Sequence, residues 1–361
     1  MTTSLFLNGR FLHQRITGVQ RFALETTAAI DRLIDAGEWP ETALLIPRKK
    51  SQGNTPRFKR LRLHSVGNTQ GQVWEQFELP RAARSGTLIN LGNTGPVLSG
   101  ARQVVVIHDA GVFDTPESYS LQFRLWYRTL QKRLISGGAN AVTVSRFACR
   151  RISQHLGLDP ARIEVMYEGA DHILRVPADP ATLERYRLVA GRYALVVGAG
   201  AAHKNLDAMS EAVCFLERQG IVTAVVGAVG ASPVFRTNAN GVQLGRGLGR
   251  VNDAELRALY ESALCLLFPS RYEGFGLPPV EALACGCPVI ASRGGAVEEV
   301  CGDAALYFDS QDPCSLLHAV EQVLDDADLS DLMRKRGLAR AASFNWEASA
   351  RILSNVVRRL Q

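Results

Sequence analysis

The chain alternates short apolar runs with segments of helical periodicity along most of its length. Consecutive Val, Ile and Leu residues, without polar alternation, are typical of strands covered by helices on both faces. Two series of predicted strands follow each other. The first comprises Ser4–Asn8, Ala43–Pro47, Leu61–Val66, Leu88–Leu91, Val104–His108, Ala141–Ser145 and Ile163–Tyr167, and the second Tyr193–Val197, Thr223–Val226, Leu264–Phe268, Pro288–Ala291 and Ala305–Phe308. The sequence therefore predicts an α/β protein with two open parallel sheets.

The length of the chain fits two lobes rather than one. Its 361 residues exceed the size of about 250–300 residues at which a single hydrophobic core stops growing. We predict an N-terminal Rossmann-like lobe at 1–175 and a C-terminal one at 176–345, and we interpret the polar stretch 171–192 as the linker. Open α/β sheets bind ligands at the carboxyl ends of their strands, so the lobes are expected to face a central cleft there.

Composition limits the class of protein. Hydrophobic residues make up 46% of the chain and no run of about 18 apolar residues occurs, which favours a globular chain over a disordered or membrane-spanning one. The start of the sequence lacks a basic and apolar leader, so we expect no signal peptide and a cytoplasmic location. Seven cysteines without a C-x-x-C pair indicate reduced core thiols rather than a zinc site or a disulfide framework.

The net charge is +6, and basic clusters at 48–50, 57–62 and 124–133 place much of it in the first half. Such clusters fit nucleic acid or an anionic membrane, and they equally fit solvated loops and helix faces. In the last cluster, basic residues mix with aromatic ones at helical spacing. This pattern fits a helix lying on an anionic membrane and also an ordinary helix packed against the sheet, and both interpretations remain open.

The clearest functional motif follows a predicted strand and combines glycines, prolines and two glutamates. Gly274 and Gly276 have no Cβ, so backbone N–H groups of this loop can approach a ligand closely. Pro279 is expected to open a helix, which places Glu281 in its first turn beside the positive end of the helix dipole. A carboxylate there can accept hydrogen bonds from a ribose diol, while Glu273 can reach another hydroxyl-rich group. The alternative is a structural turn with two solvent-facing glutamates.

A second motif joins a predicted strand to a glycine turn and a helix at residues 196–205. Helix starts bind anions through unpaired N–H groups, and Lys204 adds a full positive charge at the same place. Because a pyrophosphate leaving group gains negative charge as a glycosidic bond breaks, a fixed cation here stabilises the transition state. We reject a dinucleotide-binding fingerprint, because His203 occupies the position of its third glycine and no acidic residue closes a ribose clamp.

Two further features bear on proton transfer and metal binding. His108 ends a predicted strand on the cleft side, and it is a candidate to orient a sugar or acceptor hydroxyl or to transfer a proton. The alternative is a histidine that makes only local hydrogen bonds. Asp326 and Asp328 form a D-x-D string, but the string follows an amphipathic helix rather than a strand. We therefore expect no bound metal and no cofactor, with Lys204 and helix N-termini providing the positive charge.

The motif that contains Glu273 and Glu281 resembles that of a known family. The segment Glu273–Glu281 closely resembles the E-x7-E donor-site motif of the family 4 glycosyltransferases. The similarity extends to residues 203–205, 284–292 and 298–305. Two positions depart from the family's pattern. His203 stands where arginine is usual, and Ala199 stands where some members have a second phosphate-binding arginine.

The resemblance implies a GT-B fold and a set of site residues. The expected donor-binding residues are Gly18, Lys204, Glu273, Gly274, Phe275, Gly276, Leu277 and Glu281. Among them, Glu273 is expected on the donor sugar, Glu281 on the ribose and Lys204 on the phosphates. The expected catalytic residues are His108, which would line the sugar pocket, Lys204 and Glu273. The resemblance also implies a C-terminal helix within 346–361 that crosses back to the N-lobe.

The activity implied by the resemblance is retaining hexosyl transfer from a nucleotide-sugar donor, with GDP-mannose as the leading candidate. The acceptor would be a glycan or lipid-linked saccharide in cell-surface polysaccharide or lipopolysaccharide assembly. The protein would act in the cytoplasm or as a peripheral protein at the inner face of the membrane, without nucleic acid. One alternative is a nucleotide-sugar 2-epimerase of the same architecture. The other is a non-catalytic sugar-binding protein, which the joint presence of His108, Lys204, Glu273 and Glu281 disfavours.

Overall fold

The structure, a computed structural model, describes residues 4–48, 56–198, 202–227 and 245–360. The chain forms two compact units, one made of Met1–Gly169 with Trp346–Gln361 and the other of Ala170–Asn345. The first unit therefore consists of two stretches of chain separated in sequence by the whole second unit. Its first stretch ends at residue 169, whereas the sequence predicted a boundary at 175. Ala199 lies outside the described residues.

Seven strands, all parallel, form the sheet of the first unit among the residues described. They are β1 (Ser4–Asn8), β2 (Thr42–Pro47), β3 (Arg62–Val66), β4 (Gly86–Asn90), β5 (Gln103–Val106), β6 (Asn140–Thr143) and β7 (Glu164–Val165). Their order is β3-β2-β1-β4-β5-β6-β7. Strands β2 and β3 are added on one side of β1, and β4 to β7 on its other side, so the strand order switches direction between the neighbours β1 and β4. Ligands of open α/β sheets bind at such a point.

Six parallel strands form the sheet in the described part of the second unit. They are β8 (Tyr193–Val197), β9 (Val222–Val226), β10 (Arg246–Gly249), β11 (Cys265–Phe268), β12 (Val289–Ser292) and β13 (Ala305–Phe308), in the order β10-β9-β8-β11-β12-β13. Every predicted strand of both series is present. Only β10 was not predicted, because this edge strand contains a single apolar side chain, that of Leu248.

Helices connect the strands of both sheets. In chain order, the α-helices of the described residues are α1 (Gly18–Asp35), α2 (Gly71–Val73), α3 (Leu79–Ala82), α4 (Gly111–Asp114), α5 (Leu121–Ser136), α6 (Arg146–Leu156), α7 (Thr182–Arg185), α8 (Ser210–Arg218), α9 (Asp253–Ser262), α10 (Leu277–Ala284), α11 (Ala296–Cys301), α12 (Pro313–Asp325), α13 (Ala327–Ala341) and α14 (Trp346–Arg358). No helix within the described ranges is both long and apolar enough to cross a bilayer.

Helix α14 packs along α1 in the first unit. Its first residue, Trp346, is fully buried, and the indole meets the ring of Phe22 edge-on with 5.7 Å between ring centroids. At the surface, Arg32 Nε lies 2.6 Å from Glu347 Oε1. The second stretch of the first unit therefore completes a core that the first stretch begins.

The chain leaves the first unit at Gly169 and returns to it at Trp346, and these two residues touch. A Cβ at position 169 would lie 2.5 Å from the backbone nitrogen of Trp346 and 2.6 Å from its indole Cγ. Both distances are shorter than non-bonded atoms allow. The close approach of the two passages of chain therefore requires a glycine at position 169.

The stretch 171–192 belongs to the second unit, so its interpretation as a linker is wrong. The side chains of Ile173 and Leu188 are buried within it. The backbone N–H of Asp179 donates to the carbonyl of Ala254 on α9 at 3.1 Å. The segment is polar overall and contains two prolines, but its two buried apolar side chains and hydrogen bonds of this kind hold it against the rest of the second unit.

Candidate functional site

Two of the expected site residues meet at the carboxyl edge of the second sheet. Strands β8 and β11 pair directly, so the loops that follow them emerge side by side. The ammonium of Lys204, after β8, donates to Oε1 of Glu273, after β11, at 2.5 Å. The backbones of the two loops are also joined, since the N–H of Arg271 donates to the carbonyl of His203 at 2.9 Å. Both charged side chains stay partly exposed, 21% for Lys204 and 16% for Glu273.

Lys204 does not lie at the start of an α-helix, contrary to the prediction. It ends the 3-10 segment Ala202–Lys204, and α8 begins only at Ser210. Between them, Asn205 adopts φ 50, in the left-handed region, which interrupts a right-handed helical backbone. The positive charge at this place therefore comes from the Lys204 ammonium rather than from the dipole of α8.

The side chain of Asn205 leaves a buried polar atom unsatisfied. Only 7% of this residue is exposed, and its Nδ2 finds no hydrogen-bond acceptor among the described residues. An unpaired buried donor costs about 1–3 kcal/mol. A ligand that supplied an acceptor next to Lys204 would remove this cost.

Helix α10 begins earlier than the sequence suggested. Its first residue is Leu277, and Pro278 follows at a position where the helix needs no N–H. Gly276 precedes the helix with φ 103, a backbone conformation that favours glycine. Glu281 consequently lies in the second turn of α10. The prediction that it lies in the first turn, beside the positive end of the dipole, is wrong.

The carboxylate of Glu281 is buried and bound by two protein groups. Only 5% of the residue is exposed. Nε2 of His172 lies 2.9 Å from Oε1, and the hydroxyl of Tyr260 donates to Oε2 at 3.0 Å. Burial raises the pKa of Tyr260 well above its ordinary value and the adjacent Glu281 raises it further, so the phenol keeps its proton. For Glu281, the alternative of a solvent-facing glutamate is wrong.

Sequence reasoning missed both His172 and Tyr260. His172 lies in the stretch that was interpreted as a linker, and Tyr260 has the spacing of an ordinary core position on α9. One signal was available, since a tyrosine on the buried face of a helix needs a hydrogen-bond partner for its hydroxyl. That signal does not identify the partner.

The glycine loop that contains Glu273 is fixed by contacts on neighbouring segments. Phe275 is 3% exposed and meets Phe344 edge-on with 5.6 Å between ring centroids. The N–H of Ala296, after β12, donates to the carbonyl of Glu273 at 3.4 Å. A Cβ at Gly295 would lie 3.4 Å from the backbone nitrogen of Glu273, so these two loops are in van der Waals contact. The loop is therefore part of a packed structure rather than a free surface turn.

His108 lies in the first unit with its ring buried. Its Nε2 is 2.9 Å from the carbonyl oxygen of Leu91, and its Nδ1 is 3.4 Å from Oε1 of Glu168. A carbonyl only accepts, so Nε2 must donate. The ring also meets Phe22 edge-on, with 4.5 Å between centroids. Protein groups therefore lie beside both ring nitrogens, and they come from distant parts of the sequence rather than from the local turn that the alternative assumed.

A cavity of about 290 Å³ lies in the first unit at the N-terminal end of α1. Gly18 opens this helix, and a Cβ there would meet no atom within 4 Å, so packing does not require a glycine. The walls of the cavity are polar and aromatic, and include Arg10, Gln20, Asn93, Asp109, Tyr119, Phe123 and Tyr127. The aromatic rings stack, with centroid distances of 5.4 Å between Tyr119 and Phe123 and 4.1 Å between Phe123 and Tyr127. A few polar groups among aromatic faces are typical of a small-ligand site.

Helix α5, which supplies two of those rings, is packed along only part of its length. Leu130 and Leu134 in its C-terminal half are buried. In its N-terminal half, Leu121, Leu125 and Trp126 are exposed by 61%, 58% and 41%. The helix therefore combines a packed part with an apolar surface that faces solvent.

The D-x-D string lies at the junction of α12 and α13. Asp326 is the N-cap of α13, where its Oδ1 accepts from the N–H of Leu329 at 2.8 Å. Across the part of the chain that the structure describes, no three His, Cys, Asp or Glu side chains are grouped as metal ligands.

Residues 189–340, which contain Lys204, Glu273 and Glu281, match the family described as glycosyl transferases group 1. The chain is 32% identical over 258 residues to O-antigen chain mannosyltransferase B of Escherichia coli, covering 68% of this chain and 67% of that protein. It is 29% identical over 242 residues to the MMP α-(1→4)-mannosyltransferase of Mycolicibacterium hassiacum, covering 63% of this chain and 56% of that protein.

Among solved structures, the chain is similar to a sucrose-phosphate synthase of Thermosynechococcus elongatus. The TM-score is 0.73, with 16% identity over 99% of each chain. At this identity the likeness shows the fold alone. Together with the two parallel sheets, it confirms the predicted α/β class, the Rossmann-like units and the GT-B fold.

We expect His108→Ala to lower the free energy of unfolding of the first unit by about 2–4 kcal/mol. The substitution removes a buried ring from Phe22 and the donor to the Leu91 carbonyl. All four tryptophans of the chain lie in this unit, so tryptophan fluorescence during urea unfolding reports on it alone.

The matched control for this measurement is His64→Ala, which changes an exposed histidine on β3. Its effect on the unfolding free energy should stay within about 0.5 kcal/mol. Equal stability of the two variants would contradict a stabilising role of the buried His108 ring.

Proposed function

This chain belongs to the group 1 glycosyl transferases, and we propose that it transfers mannose from GDP-mannose to a saccharide acceptor with retention of anomeric configuration. Mannose is favoured because both relatives described above are mannosyltransferases by name. The proposed acceptor is a glycan or lipid-linked saccharide in cell-surface polysaccharide assembly, since one of these relatives is named for the O-antigen chain.

The contact between Lys204 and Glu273 is the observation on which the proposal depends. The two charges neutralise each other at 2.5 Å. A nucleotide diphosphate offers Lys204 a more highly charged partner, which frees the carboxylate of Glu273 for a sugar hydroxyl. As the glycosidic bond breaks, negative charge grows on the phosphate and positive charge on the sugar ring. An ammonium beside the first and a carboxylate beside the second would stabilise both.

Further donor contacts are proposed around this pair. The unsatisfied amide of Asn205 donates to a phosphate oxygen, as do backbone amides of Gly274–Leu277, and Glu281 binds the ribose. We propose that the departing phosphate, rather than His108, takes the proton from the hydroxyl group of the acceptor saccharide. Protein groups already surround both nitrogens of the His108 ring. Roles of His108 and Gly18 toward the donor stay predictions.

The acceptor is proposed to bind in the cavity of the first unit at the start of α1. Its stacked aromatic rings offer apolar faces to the C–H side of a sugar, and Gln20, Asn93 and Asp109 offer hydrogen-bond partners for hydroxyls. The volume of about 290 Å³ is close to the lower end, about 300 Å³, of the range for small-ligand sites. The saccharide end of a lipid-linked acceptor has this chemistry.

The exposed apolar residues of α5 lead us to propose peripheral contact with an anionic membrane. Replacing Leu125 and Trp126 together by alanine should reduce co-sedimentation with phosphatidylglycerol vesicles several-fold. The matched control is Leu332→Ala with Leu338→Ala, which removes two exposed leucines from α13 in the other unit. Equal binding by both double variants would contradict a membrane role for α5.

We expect Lys204→Ala to lower mannosyl transfer about 100- to 1,000-fold, because an ammonium is lost where leaving-group charge develops. Wild-type transfer should persist in EDTA, since this charge replaces a metal ion in the proposal. Steady-state kinetics measures the effect of the substitution and the effect of the chelator. The control for Lys204→Ala is Lys335→Ala, which removes an exposed lysine from α13 in the same unit. A loss of wild-type activity in chelator that Mg²⁺ or Mn²⁺ restores would refute the metal-free phosphate site.

Substitution of the two glutamates should have different effects on nucleotide binding and on the transfer rate, and this difference tests the proposed function. Glu281→Gln should weaken GDP and GDP-mannose alike, because ribose contacts hardly change during the reaction. Glu273→Gln should keep most of the affinity for GDP and lower the transfer rate, because only the sugar ring acquires oxocarbenium character. Calorimetry with GDP and kinetics with GDP-mannose measure the two effects.

If Glu273→Gln loses GDP affinity while Glu281→Gln does not, the two roles are interchanged. If neither substitution changes either quantity, the donor site is elsewhere and the proposal fails. Incubation of GDP-mannose without an acceptor provides the comparison with a 2-epimerase, which would release an epimerised sugar under these conditions.

A further inference from the structure

We propose that His172 and Tyr260 are positioning residues that fix the carboxylate of Glu281, and that they thereby set the preference of the donor site for a ribonucleotide over a dideoxyribonucleotide. The inference rests on the proposed function, in which Glu281 binds the ribose. Neither residue is part of the motif by which the donor site was located.

Each oxygen of the Glu281 carboxylate has its own protein donor. Nε2 of His172 is 2.9 Å from Oε1, and the hydroxyl of Tyr260 is 3.0 Å from Oε2. The terminal torsion of a glutamate is broad when nothing restrains it. Two donors on two different oxygens restrict that rotation. A carboxylate has about four lone-pair sites, so about two stay open for the hydroxyls of a ligand.

Both donors are themselves rigidly placed. Tyr260 is fully buried on α9, and His172 is 4% exposed on the 3-10 segment Asp171–Arg175. Arg257, three residues before Tyr260 on the same helix, donates to the backbone carbonyls of Leu174 and Val176 at 2.9 and 2.8 Å. Helix α9 therefore supplies one donor directly and anchors the segment that supplies the other.

A fixed carboxylate makes the loss of a ribose hydroxyl costly. A site built to bind a hydroxyl rejects an analogue without it, because the lone pairs of the buried carboxylate that His172 and Tyr260 leave open are then without a donor. A carboxylate that could rotate would find another partner and lose less. The ratio of the affinities for GDP and 2′,3′-dideoxy-GDP therefore measures how firmly Glu281 is positioned.

The experiment is calorimetry of the full chain with both nucleotides. We expect Tyr260→Phe and His172→Ala each to lower the wild-type ratio about five- to tenfold, and His172→Gln, whose amide can replace Nε2, to keep more of it than His172→Ala. The control is Tyr186→Phe, which removes a tyrosine hydroxyl from a different carboxylate, that of Glu255, at 3.4 Å, and should leave the ratio unchanged. The ratio compares two ligands on one preparation, so partial unfolding of a variant does not alter it.

Glu281→Gln separates the two ways in which the idea can fail. If this substitution leaves the ratio at its wild-type value, Glu281 does not bind the ribose and that part of the proposed function is wrong. If Glu281→Gln lowers the ratio while Tyr260→Phe and His172→Ala both leave it unchanged, the ribose assignment stands and the positioning role is wrong.

Discussion

The direct pairing of β8 with β11 is the constraint on which the proposed donor site depends. Ala194 pairs with Cys265 and Leu195 with Leu266, although the two strands are far apart in sequence. Because the strands are parallel, their carboxyl ends lie at one edge of the sheet, and the loops after them must meet. The contact between Lys204 and Glu273 follows from this pairing. The neighbouring position of β12 brings a third loop against the same glutamate.

The strands could be predicted from sequence because a strand buried on both faces needs consecutive apolar residues. Local backbone conformation could not. Both helix starts near the proposed donor site were predicted at the wrong residue, and in each case a residue with left-handed backbone decides where the helix begins, Asn205 with φ 50 and Gly276 with φ 103. Periodicity reports which face of a helix is buried, and it does not report the turn of backbone that precedes the helix.

The residue types in a motif predict a chemistry, but they do not predict how deeply each side chain is buried or which groups it contacts. Glu281 was expected at a helix start with a free carboxylate, yet the fold buries it against His172, which is 109 positions away in sequence. His108 was expected on a ligand, and the structure surrounds it with Leu91 and Glu168. Such partners belong to tertiary packing, so one sequence without its fold cannot identify them.

The contact of Gly169 with Trp346 has a consequence for folding of the protein during its synthesis on the ribosome. Translation proceeds at about 5–20 residues per second, so roughly ten seconds or more separate the emergence of these two residues. Throughout that interval the surface of α1 around Phe22 lacks the indole that covers it in the finished molecule. The second unit, continuous in sequence, can be complete before the first is closed. A nascent chain of this protein therefore exposes an apolar surface around Phe22 until Trp346 has been made, and chaperones that bind such surfaces have access to it throughout that interval.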